Sequence, residues 1–153
     1  MTTPKLISFD CYGTLIDWEA GILSALKPVL ARHDCHISDT EILRHYARIE
    51  STLEAGPYQS YCSILRGITE QLGLDLGFTP AADELDALPR SLADWQPFSD
   101  TVSALAALKS RYPLAIISNI DDDLFAATAR NLHVAFDFVI TAQQVQSYNP
   151  SVL

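Results

Sequence analysis

Lys5-Leu6-Ile7-Ser8-Phe9-Asp10-Cys11-Tyr12-Gly13-Thr14-Leu15 begins as a short apolar run and ends in a polar, glycine-containing turn. A buried strand feeding a loop has this form. Asp10 then stands at the carboxyl end of the strand, and Gly13 lets the backbone turn tightly behind it. Further along, Leu114 to Ile117 is a second apolar run, ended by Ser118-Asn119. A helix from about Asp100 to Ser110 precedes it, and a helix through Leu124 and Leu132 and a strand around Phe138 to Ile140 follow. Such alternation is the signature of a parallel sheet with helices on its faces.

The stretch between these strands reads as helical throughout. Ile22, Leu23, Leu26, Val29 and Leu30 recur at helical period, with Pro28 predicting a kink or early stop. Ser38-x-x-Glu41 is a capping-box pattern opening a second helix, whose apolar stripe is Ile42, Leu43, Tyr46, Ile49 and Leu53 and which Gly56-Pro57 ends. Tyr58, Tyr61, Leu65, Ile68 and Leu72 predict a third helix, with Gly73 as the residue just past its end. Thr79-Pro80 offers an N-cap and a first-turn proline for a shorter fourth helix through Leu85 and Leu88, ending near Pro89. The expected organisation is therefore an α/β layer system from residues 1–16 and 96–153, with an all-helical insertion over 17–95.

Composition bounds the function classes. The chain has 153 residues, 48% of them apolar, enough to bury a core. No window reaches the roughly eighteen uninterrupted apolar residues of a membrane span, and no signal-peptide layout opens the chain, so a cytoplasmic location is expected. Cys11, Cys35 and Cys62 are an odd number at unrelated spacings and read as reduced thiols. A net charge of −9 with no strong basic patch argues against nucleic acid and anionic membranes as partners. The densest basic stretch, Arg44, His45 and Arg48, has the spacing of one solvated helix face.

In open α/β sheets the ligand sits beyond the carboxyl ends of the strands, which gathers Asp10, Thr14, Ser118 and Asn119 around one crevice. A carboxylate there can act as a covalent nucleophile, splitting a displacement into ester formation and ester hydrolysis. Amides after Asp10 point at developing negative charge, and the hydroxyls and the amide side chain orient rather than react. Asp121-Asp122-Asp123 is read as acids answering the positive end of a helix and not as a metal site. His33, Asp34, Cys35 and His36 match no zinc spacing. Cys11 is read as a small buried residue, and the aromatic stripe of Tyr46, Tyr58 and Tyr61 as packing, although these tyrosines with Arg44 and Arg48 are the candidates to line a cap.

Phe9-Asp10-Cys11-Tyr12-Gly13-Thr14-Leu15, a helical insert and then Ile117-Ser118-Asn119 resemble the haloacid dehalogenase superfamily, over nearly the whole chain. The resemblance implies a Rossmann-like α/β core with an inserted helical cap. Superfamily phosphatases place a second aspartate two residues after the nucleophile, as acid for the leaving alcohol. Tyr12 stands there instead, which resembles the 2-haloacid dehalogenase branch, where halide leaves unprotonated. That branch implies Asp10 as nucleophile, Thr14, Ser118 and Asn119 holding it and the substrate carboxylate, and Cys11, Tyr12, Ser118 and Asn119 as the substrate-binding set. It also implies a small organic acid substrate, a 2-hydroxy acid product, and no metal or other cofactor. Mg²⁺ enters only under the alternative of a small-molecule phosphatase.

The chain departs from the family pattern near its end. Where relatives read Ser-Tyr-Lys-Pro it has Ser147-Tyr148-Asn149-Pro150, so no lysine neutralises the nucleophile, and it ends at Leu153 before the family's next strand. The sequence reading therefore expects a core incomplete at its carboxyl end, impaired turnover and self-association through an exposed sheet edge. A catalytically dead binding or regulatory fragment is the third alternative.

Overall fold

The computed structural model describes residues 5–148; Asn149 and Pro150, where the family lysine motif falls, lie outside the described residues. Three strands, β1 (Ile7–Phe9), β2 (Leu114–Ser118) and β3 (Phe138–Thr141), form a parallel sheet in the order β1-β2-β3. Ile7 pairs with Leu114 and Phe9 with Ile116, while Ser118 pairs with Thr141. Eight helices are present among the described residues, the expected α/β, Rossmann-like arrangement.

Side chains alternate between the two faces of a sheet. Ile7, Phe9, Leu114, Ile116 and Val139 share one face and join the apolar cluster that includes Leu105 of α6 (Thr101–Lys109) and Phe125 and Leu132 of α7 (Asp122–Leu132). Ile117, Phe138 and Ile140 lie on the other face and are 42%, 57% and 43% exposed. Among the described residues that face has little cover.

The helical stretch between β1 and α6 comprises α1 (Trp18–Arg32), α2 (Asp39–Glu54), α3 (Tyr61–Leu76), α4 (Ala82–Leu85), α5 (Ala87–Ser91) and a 3-10 turn at Leu92–Asp94. Asp17 caps α1, its carboxylate accepting from the Ala20 amide at 3.1 Å. Pro28 neither kinks nor stops α1, which runs through it to Arg32 with Val29 and Leu30 buried. The capping box forms as expected: Ser38 Oγ accepts from the Glu41 amide at 3.3 Å and Glu41 Oε2 from the Ser38 amide at 2.9 Å.

Gly73 does not end α3. It lies within the helix, where a Cβ would stand 2.6 Å from Pro80 Cδ, and the left-handed residue that closes the helix is Gly77 (φ +82°). The predicted fourth helix is two short ones, and Pro89 sits inside the second rather than ending it. The chain enters and leaves the helical stretch at one place: the Asp17 amide donates to the Gln96 carbonyl at 2.9 Å, and Ile16 pairs antiparallel with Pro97. No helix of the described residues is long and apolar enough to cross a membrane.

Candidate active site

β1 delivers Asp10, an exposed side chain, to the carboxyl edge of the sheet. Behind it the Cys11 carbonyl accepts from the amides of Thr14, Leu15 and Ile16 at 3.3, 2.7 and 3.0 Å, winding the chain into a tight loop. Gly13 is required there on two counts. Its φ is +86°, and a Cβ would lie 2.9 Å from Trp18 Nε1. The Thr14 hydroxyl donates to Asp10 Oδ2 at 3.3 Å. Because β1 and β2 are parallel neighbours, Ser118 and Asn119 leave the sheet beside Asp10.

A cavity of about 540 Å³ opens at this edge, lined from the sheet side by Asp10, Tyr12, Ile117, Ser118 and Asn119. Its other walls come from the helical stretch: Trp18, Tyr46, Glu50, Glu54, Tyr61 and Trp95. Positions 46, 50 and 54 are four residues apart on α2 and so share one helix face. Glu50 Oε1 accepts from the Tyr46 and Tyr61 hydroxyls at 3.1 and 2.5 Å, and those hydroxyls lie 3.0 Å apart. Burial raises the Glu50 carboxyl, the two phenol bonds opposing it. Glu54 is lifted to about 7, first by burial and then by the charge of Glu50. Among the described residues no Lys, Arg or His lines the cavity.

Tyr12 lines the cavity while its hydroxyl bonds with Thr128 Oγ1 at 2.8 Å and its ring meets Trp95 edge-on at 5.9 Å. Burial above all, with the Cys11 thiol and the Asp10 carboxylate beside it, pushes its phenol well above the ordinary value, so it stays protonated. Cys11, expected among the substrate-binding residues, is fully buried and absent from the lining, because the loop turns its side chain into the core. Burial, with Asp10 beside it, drives its thiol up to about 12, which leaves it unreactive near neutrality. Thr14 reaches the site through Asp10 and is not itself part of the lining.

Of the cap candidates, Tyr46 and Tyr61 line the cavity, whereas Tyr58 stacks on Tyr148 at 5.5 Å. Arg44 is exposed, and Arg48 pairs with Asp75 outside the cavity. Asp121 does not cap its own helix. It is buried and caps α3 instead, accepting from the Tyr61 and Cys62 amides at 2.9 and 2.8 Å. His33 bonds to Glu84 at 2.8 Å and stacks on Phe78. Among the described residues no three His, Cys, Asp or Glu gather closely enough to hold a metal ion. Trp18, Glu50, Glu54 and Trp95 were not foreseen as lining; the available signal was the four-residue spacing of Tyr46, Glu50 and Glu54.

The geometry has close counterparts among solved structures. A defluorinating L-2-haloacid dehalogenase superposes with a TM-score of 0.81 at 26% identity over 95% of this chain and 63% of that one. The L-2-haloacid dehalogenase of Xanthobacter autotrophicus gives 0.79 at 24% over 97% of this chain and 60% of that one. It has also been solved with chloropropionic acid covalently bound, again at a TM-score of 0.79. The chain thus spans less than two thirds of the length of these relatives. No curated protein matches the sequence significantly. The sequence profile of the haloacid dehalogenase-like hydrolases, in contrast, matches residues 4–151, and the chain belongs to that family of hydrolases.

Proposed function

We propose that the protein is a hydrolase of the dehalogenase type in which Asp10 is the nucleophile and residues 17–95 act as a cap over the sheet. One observation carries this reading: Asp10 faces a cavity with Ser118 and Asn119, while the residue two positions later, Tyr12, is a half-buried phenol tied to Thr128. Such a site has a nucleophile with no acid two positions after it to protonate a leaving alcohol, which suits a leaving group that departs unprotonated. The Asp10 carboxylate attacks the substituted carbon, a C–O bond forms, and halide leaves with the electron pair of the broken C–halogen bond. Water then adds to the Asp10 carbonyl, the ester opens, the alcohol leaves and the carboxylate returns. Thr14 holds the nucleophile through Oδ2, and Ser118 and Asn119 orient the substrate.

The covalent chloropropionic acid complex of the Xanthobacter enzyme supports this chemistry by likeness. A cytoplasmic setting with reduced thiols, and self-association through the exposed sheet edge at β1, belong to the same reading. The test is a single turnover in water labelled with heavy oxygen, using a panel of short halogenated acids, amides and amines. Label is expected in the Asp10 carboxylate, and Tyr12→Phe should retain it. Label found only in the product would remove Asp10 as nucleophile.

A further inference from the structure

We propose that the cavity selects a substrate bearing a positively charged amino or quaternary ammonium group, held between the Glu50 and Glu54 carboxyl groups and the ring of Trp18. The inference rests on reading Asp10 as the nucleophile of this cavity, and it goes against the organic acid that the family likeness suggests.

The charge pattern carries the argument. Asp10, Glu50 and Glu54 all line the cavity, and no cation among the described residues faces them. The basic side chains nearest in sequence are spent elsewhere, His45 and Arg48 on Asp75 and Arg44 in solvent. A substrate carboxylate entering here finds no described counter-ion, and desolvating it without one is costly. Glu50 is fixed by two phenols, whereas Glu54 has neither a hydrogen bond nor an ion pair among the described residues. Its carboxyl holds its proton up to about pH 7 because of burial and the neighbouring Glu50. A cation beside it removes that repulsion. The half-buried Trp18 ring supplies the rest, since an ammonium over an indole is attracted by the ring's negative face.

Both tryptophans of the chain, Trp18 and Trp95, line the cavity, so intrinsic fluorescence reports its occupancy directly. Three probes of like shape separate charge from size: choline, its uncharged carbon isostere 3,3-dimethylbutan-1-ol, and 3,3-dimethylbutanoate. Choline is expected to bind at least about fivefold more tightly than the alcohol, with the butanoate weakest. Glu54→Gln, at a half-exposed position without partners, should erase most of that preference. Butanoate binding as tightly as choline, or a choline preference untouched by Glu54→Gln, would overturn the proposal. Binding is read without turnover, so a failure here is distinct from a failure of Asp10 to take up label.

Discussion

Asp121, from the loop after β2, caps α3 at Tyr61, its two carboxylate oxygens taking the Tyr61 and Cys62 amides at 2.9 and 2.8 Å. A carboxylate at a helix start satisfies amides that have no partner within the helix and answers the positive end of its dipole. Here the bond also ties the cavity's helical wall, through Tyr61, to the end of the strand carrying Ser118. Asp121→Ala is expected to cost about 2 kcal/mol, the upper range for a cap because the orphaned amides are buried. Urea denaturation measures it. An Asp123→Ala control should change stability far less, because Asp123 is exposed and bonds only the adjacent Leu124 amide.

Glu54 makes stability fall with rising pH. Its folded value near 7 lies above the ordinary glutamate value of 4.5, so the folded chain holds a proton that the unfolded chain has released. Stability from this group is fully present below about 4.5 and is lost as pH rises through about 7. The group facing it is Glu50, itself raised by burial. Denaturation midpoints of the wild type should drop across this window, and those of Glu54→Gln should drop less. A parallel decline in both would assign the effect to other groups.

Ile117, Phe138 and Ile140 present apolar side chains on one sheet face without cover among the described residues. Apolar area of this kind recruits other surfaces. The 153-residue chain is expected to self-associate at micromolar concentration in light scattering, and Phe138→Lys with Ile140→Lys to shift it toward monomer. A monomeric wild type would refute this.

The sheet and the helices were legible because their signals are local. Asp10 and Ser118-Asn119 each follow a short apolar run, and the Ser38 to Glu41 capping box is complete within four residues. What escaped depends on distant partners. Asp121 looked like a cap for the helix it precedes, yet it serves α3, far away in sequence. Gly73 looked like a helix end, but it is there to admit Pro80. Glu50 and Glu54 belong to the site only because α2 packs with that face toward the sheet edge, a rotational setting no single helix discloses.

The pairing of Ile16 with Pro97 and of the Asp17 amide with the Gln96 carbonyl divides the cavity's lining between two stretches of chain. On one side of that stem lie Asp10, Tyr12, Ser118 and Asn119; on the other lie Trp18, Tyr46, Glu50, Glu54, Tyr61 and Trp95. Closing a loop at such a stem costs only slowly more as the loop lengthens. Helices between residues 17 and 96 can therefore be lengthened, shortened or replaced while the strand ends stay where they are. With Asp10 as the proposed nucleophile, the reaction and the choice of molecule are inherited on separate segments, and selection can revise the second without touching the first.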